Sequence, residues 1–159
     1  MILNATRKGL ITGILMILAG LILSALKTPD NSPLHYIGYI FYGTGIVWAV
    51  IASKDKTKFG TLFNEGFRCF IMATLLMVVY TWIYWATNPK KMDETVAKQK
   101  EVQLKNAKDR TPLEIDQQAK DTRKYFIPMV LAGTVFDFLL IGVVVTTAAA
   151  GTLSLSKKN

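Results

Sequence analysis

Four apolar runs dominate the chain, and charged residues stay out of them. The runs are 9–26 (GLITGILMILAGLILSAL), 34–52, 67–86 and 125–151. Of nineteen Lys and Arg only Arg68 falls inside one, and of eleven Asp and Glu only Asp137 does. A soluble domain interleaves polar and apolar positions at a period near 3.6 or 2. Segregation along the chain is what a bilayer imposes, because a charge at its centre is costly. Each run is close to the roughly 20 helical residues that cross a hydrocarbon core about 30 Å thick. Helices also satisfy their own backbone polar groups there. The pattern predicts an all-α protein, a four-transmembrane-helix bundle forming a single membrane domain over 1–159.

The flanks refine these spans. The first follows Arg7-Lys8 and ends at Lys27. It shares a basic start and an apolar body with signal peptides, but its run is longer, and Leu23 is a poor residue three places before a cut after Ala25. An uncleaved first span is expected. Ser32-Pro33 suits the entry to the second span, since Ser caps free N–H groups and Pro fits the first turn. The third closes on Tyr80, Trp82, Tyr84 and Trp85, an interfacial aromatic belt. The fourth carries Pro128 in its opening turns. Between the first pair lies a short turn, 27–33, and between the second and third a basic loop, 53–66, with Lys54, Lys56 and Lys58.

The connection 88–124 is different. Asn88-Pro89 reads as a cap and a first-turn Pro, followed by helix-favouring composition to Lys108; Asp109-Arg110 is a break. Thr111-Pro112-Leu113-Glu114 is a capping box with Pro at the first helical position. Two helices, about 89–107 and 112–124, are expected, the second running into the fourth span. Their apolar stripes are thin: Val96, Leu104 and Ala107 on one, Ile115, Ala119 and Phe126 on the other. They form either an extramembrane helical hairpin resting on the membrane surface or a partner, or a loosely held, solvated pair.

The start RKGLITGILMILAG, the approach KFGTLFNEGFRCF to the third span, and the exit YTWIYWATNP followed by TPLEIDQQ resemble the integral membrane proteins of the domain-of-unknown-function family 4199, common in Bacteroidota. The likeness covers nearly the whole chain. It implies a bacterial inner-membrane protein with four helices, and no activity or functional residue comes with it.

Charge then adjusts the picture. The net +8 does not imply nucleic acid, because the basic residues flank spans or alternate with acids; contact with anionic lipid headgroups accounts for them. With the N-terminus in the cytoplasm, Arg7, Lys8, Lys54, Lys56, Lys58, Arg68, Lys157 and Lys158 lie inside, against Lys27 and ten basic residues of the long connection outside. That plain count opposes the positive-inside rule. The dominance of the first span and the basic second loop favour both termini inside.

Asp137, near the middle of the fourth span, is the sharpest chemical candidate, since an intramembrane carboxylate takes a proton or needs a partner. It reads as a proton- or cation-binding site facing the bundle interior, or as a structural acid hydrogen-bonded to Thr or Tyr on a neighbouring helix. Asp137 is twelve residues from Tyr125 and Thr74 twelve from Ala86, which puts the two at similar depth. Arg68 lies six residues, roughly 9 Å, toward the other face; it would reach Asp137, snorkel, or pair with Glu65. Gly9, Gly13 and Gly20 mark a helix-contact face, within the chain or with a partner. His35 has no Cys, Asp or Glu at ligand spacing, and Cys69 is a single thiol, so no metal site and no disulfide are expected. With no P-loop, nucleotide-binding Gly pattern or Ser/His/Asp set, neither an enzyme nor a cofactor is expected. Two functions remain. A structural or accessory subunit, associating with other membrane proteins or with itself, predicts Gly faces on outer helix surfaces. A small transporter or a lipid- or proton-binding protein predicts a polar cavity reaching Asp137.

Overall fold

In a computed structural model described over residues 4–26, 32–53, 55, 58–106 and 111–156, every regular element among the described residues is helical. The expected turn at 27–31, Lys54 and Lys56, Ala107 with the Asp109-Arg110 break, Lys157-Lys158, and the side chain of His35 lie outside that description. The elements are α1 (Ala5–Ala25), a 3-10 turn (Pro33–Tyr36), α2 (Ile37–Ile51), α3 (Phe59–Thr87), α4 (Pro89–Asn106) and α5 (Pro112–Ser156). Three of them, α1, α3 and α5, are long and apolar enough to cross a membrane, and α2 is a shorter apolar helix.

Local chemistry sets the ends. Asn4 starts α1 by accepting the N–H of Arg7 at 2.9 Å, which closes one of the donors a helix N-terminus leaves open. The helix therefore begins four residues before the apolar run and takes Arg7 and Lys8 into its first turns. Ser32 accepts from Leu34 N–H at 3.3 Å with Pro33 following, but the turn it opens is 3-10 and leads into α2. The capping box forms as expected: Thr111 N–H donates to Glu114 Oε2 at 2.8 Å, and Glu114 N–H to Thr111 Oγ1 at 3.3 Å. Asn88 acts differently from the expected N-cap, because its side-chain amide donates back to the Tyr84 carbonyl at 2.8 Å and so closes the end of α3.

One expected boundary is corrected, and one expected continuity is found. The basic loop does not reach residue 66, since α3 begins at Phe59. Its buried residues Leu62, Gly66, Cys69, Phe70, Ala73 and Thr74 keep helical spacings of three and four, and this continuous stripe draws 59–66 into the helix. The fourth span belongs to a single 45-residue helix, α5, about 67 Å long. Pro128, in the opening turns of the span, is thereby interior to the helix; its missing N–H leaves the Lys124 carbonyl without its usual partner.

The chain resolves into two compact units, Met1–Val79 with Thr134–Asn159, and Tyr80–Gly133. In the first, α1 buries Ala5, Lys8, Gly9, Thr12, Gly13 and Met16, and α2 buries Tyr42, Gly45, Ile46, Ala49 and Val50. One core joins Met16, Tyr42, Ile46, Ala49, Cys69, Phe70, Ala73 and Phe138, so α1, α2, α3 and α5 all contribute. Glycines let backbones approach. A Cβ on Gly9 would stand 2.2 Å from the Cys69 carbonyl oxygen, one on Gly45 2.1 Å from Thr12 Oγ1, and one on Gly66 2.5 Å from Thr146 Cγ2.

The second unit is a hairpin held by two kinds of contact. Met92, Val96 and Phe126 form its core, with Trp85, Ala119, Ile127 and Val130 packed on it; the Trp85 and Phe126 rings meet edge-on at 4.8 Å. Ile115 is buried as its stripe predicts, whereas Leu104 is exposed. Ion pairs Lys100–Asp116 and Arg123–Asp93 cross between α4 and α5. The two pairs lie equidistant in sequence from residue 108, the register of an antiparallel hairpin.

Gly9→Ala should destabilise the protein by about 1–3 kcal/mol, because backbone cannot yield as a side chain can. Gly43→Ala, where a Cβ meets open space, should be neutral or stabilise by up to about 1 kcal/mol; thermal shift in detergent compares the two. In the hairpin, the hydrogen bond and charge of Lys100 hold the Asp116 carboxyl below its ordinary 3.8. A depressed pKa in the folded state contributes stability above pH 3.8 that is lost as pH falls through the lower folded value. An NMR titration of the Asp116 carboxyl should have its midpoint below 3.8, returning toward 3.8 in Lys100→Met.

Candidate functional site

The helical phase of α5 decides where Asp137 points. Phe138, Gly142, Thr146 and Ala150, one turn apart, are the buried positions of its lower half. Asp137, about 100° around the helix from Phe138, falls on the outer surface. The carboxylate does not face the bundle interior. It lines an outward groove of about 390 Å³ with Tyr36, Tyr39, Leu140 and Ile141. The rings of Tyr36 and Tyr39 are 6.4 Å apart and tilted by 40°, and Tyr39 rests on Phe138 at 5.6 Å. Asp137 makes no hydrogen bond or ion pair with another described residue.

Thr74 is at the level expected but faces inward. The buried Tyr42 hydroxyl donates to the Phe138 carbonyl at 2.8 Å and lies 3.1 Å from Thr74 Oγ1. A phenol has one proton to give, so Thr74 donates to Tyr42. This layer ties α2, α3 and α5 together beside Asp137 without including it. Arg68 is exposed on α3 and forms no ion pair with Asp137. The three candidates are thus not one site: Thr74 belongs to the interior, and Asp137 and Arg68 to outer faces.

The glycine face divides as well. Gly9 and Gly13 are buried inside the unit, Gly9 against the Cys69 carbonyl and Gly13 against Leu76 and Ala73, where a Cβ would stand 2.7 Å from Leu76 Cδ1. These contacts are within the chain. Gly20 is half-buried.

Three features were not foreseen from sequence. Lys8, expected as a membrane-flanking charge, is 4% exposed and sets its ammonium 5.5 Å from the centre of the Trp48 ring, a cation–π contact. Its carbonyl accepts from Thr12 Oγ1 at 2.9 Å. Thr146 Oγ1 is buried without a partner among the described residues. Along the outer side of α2 and α5 runs a second groove, about 540 Å³, lined by Val47, Ile51, Val144, Ala148, Thr152 and Ser156 among others. Ala148, Thr152 and Ser156 recur at four-residue spacing, a small-residue signal that four apolar spans made easy to overlook.

A family model described as "Protein of unknown function (DUF4199)" matches residues 7–153. No curated protein sequence and no solved structure matches the chain.

Tyr42→Phe should lower stability by about 0.5–1.5 kcal/mol, the net worth of such hydrogen bonds, with membrane interiors tending to the low end. Thr74→Val added to Tyr42→Phe should cost less than Thr74→Val alone, because the two share one bond; a double-mutant cycle in detergent measures the difference.

Proposed function

The chain belongs to the DUF4199 family, and since that membership brings no activity with it, we propose from its own residues that it is a non-enzymatic inner-membrane protein of four spans, an accessory subunit of a membrane assembly. The span added to the three long helices is α2 together with the turn before it. Fifteen α-helical residues and four 3-10 residues reach about 30 Å at about 1.5 and 2.0 Å per residue, the thickness of a hydrocarbon core. An even number of spans returns both termini to one side, the cytoplasm by the weight of the first span and the basic loop.

The observation that carries the accessory reading is the outward groove at Ala148, Thr152 and Ser156. Without a hydrophobic drive between helices in lipid, association depends on close packing, and outward small residues at four-residue spacing admit a neighbouring helix. Close packing at the helix contacts supports the same reading: Gly9, Gly45, Gly66 and Gly142 each make a contact closer than a methyl group would allow. Lipid and other membrane subunits, or a second copy, are the partners this surface suits; nucleic acid is not.

A second reading, a small membrane protein that binds a lipophilic ligand or proton, draws on the Asp137 groove. An intramembrane carboxylate on an outer face is functional by default, and its groove is of a size that holds small molecules.

A photo-crosslinker placed at Thr152 in native membranes should give one discrete protein adduct. Ala148→Leu should fill the groove and reduce that adduct at least about tenfold with unchanged thermal stability. Recovery of the chain as a lone monomer, with only lipid adducts at Thr152, would overturn the accessory reading.

A further inference from the structure

We propose that the groove at Asp137 binds lipophilic organic cations, ammonium or phosphonium groups carried on an apolar body, by pairing them with its carboxylate. The inference deepens the second reading above and rests on it. Depth is the first argument. Asp137 lies twelve residues from Tyr125 and fourteen from Gly151, the ends of its apolar run, so it is about 18 Å or more along α5 from either end. A carboxylate so placed, on a surface that meets hydrocarbon, is neutral or has a cation beside it.

Among the described residues none supplies such a cation. Lys8 is packed over Trp48, near the opposite end of α2, and Arg68 is exposed without an ion pair to Asp137. The titratable groups that share the groove, among the described residues, are Tyr36 and Tyr39. Neither is positively charged in any state, and both present aromatic rings, whose faces attract cations. Leu140 and Ile141 complete an apolar lining. A carboxylate beside two tyrosine rings and aliphatic walls is chemistry for an organic cation. A small inorganic ion would want six or more oxygens, which this groove does not offer.

Access narrows the class further. The groove opens outward at mid-span, so its ligand arrives through the bilayer and carries its charge into hydrocarbon. A headgroup ammonium held at the interface stays about 18 Å along the helix from the carboxylate by the same count; a cation shielded by apolar groups does not. The Asp137 carboxylate pairs with that cation.

The full chain in nanodiscs, titrated with tetraphenylphosphonium by calorimetry, tests this. Binding should be saturable. Asp137→Asn should weaken binding at least about tenfold, Asp137→Glu should retain it, Tyr39→Leu should weaken it several-fold, and Tyr39→Phe, which keeps the ring, should not. Gel filtration confirms that each variant folds. Equal binding by wild type and Asp137→Asn, or equal binding of the anion tetraphenylborate, would overturn the proposal. Dicyclohexylcarbodiimide, which reaches protonated carboxyls from the hydrocarbon side, separates this failure from that of the underlying reading. Labelling of Asp137 without phosphonium binding removes the cation and leaves a proton-binding groove. Protection from labelling by phosphonium supports the pairing. No labelling of Asp137 removes both.

Discussion

At Gly9 the α1 backbone comes so near the Cys69 carbonyl that a methyl group would stand 2.2 Å from its oxygen. Hydrogen is the only side chain that fits. Between helices in lipid there is little hydrophobic gain, because acyl chains are as apolar as leucine, and attraction has to come from dispersion at close range and from hydrogen bonds. The approach at Gly9, with those at Gly13, Gly45, Gly66 and Gly142, supplies the first. It also sets up the second. With the helices this near, Thr12 fills the space at Gly45, the Cys69 thiol reaches the Gly45 carbonyl at 3.5 Å, and Tyr42 spans to Phe138.

A core packed this closely forces a choice on every polar residue of the spans. Tyr42, Thr74, Cys69 and Thr12 are short enough, or correctly placed, to bond within it. Asp137 has no such place. The residue beside it, Phe138, is half of a ring pair with Tyr42 at 5.0 Å, and that pairing fixes the rotation of α5. Turning the helix to bring Asp137 inside would expose Phe138 and pull Gly142 away from Phe70, where a Cβ would stand 2.7 Å from the ring. The outward position of the carboxylate is thus a consequence of aromatic and glycine packing on the opposite side of the same helix.

Much of this was legible in the sequence, and the part that was not has a common cause. The apolar helices were legible because charge is excluded from them, and the hairpin because a capping box and a first-turn proline signal a helix start through contacts three residues apart. The depth match between Thr74 and residue 137 also followed from counting residues. Rotation did not. The stretch Phe136–Val145 is apolar on nearly every side, so no periodic contrast says which face is inward, and the one polar residue was taken for an interior one. The Gly9–Gly13 spacing announced a contact and not its partner, since the Cys69 and Leu76 that receive it lie some sixty residues on. The early start of α3 was hidden by lysines next to it, although Leu62 and Gly66 already continue the buried stripe. Lys8 was read by its charge, while its long methylene stem is what lets it pack.

Lys8 and Asp137 make an instructive contrast. Both are ionisable, and both sit on helices of the same compact unit. The fold draws Lys8 in, covers its stem and offers the face of Trp48 to its ammonium, so the cation is provided for within the chain. Asp137 receives two tyrosine rings and, among the described residues, no positive group. Aromatic rings attract cations, so this setting suits a partner of the carboxylate, and the contact that Lys8 finds within the fold is the one that the proposed ligand would bring to Asp137.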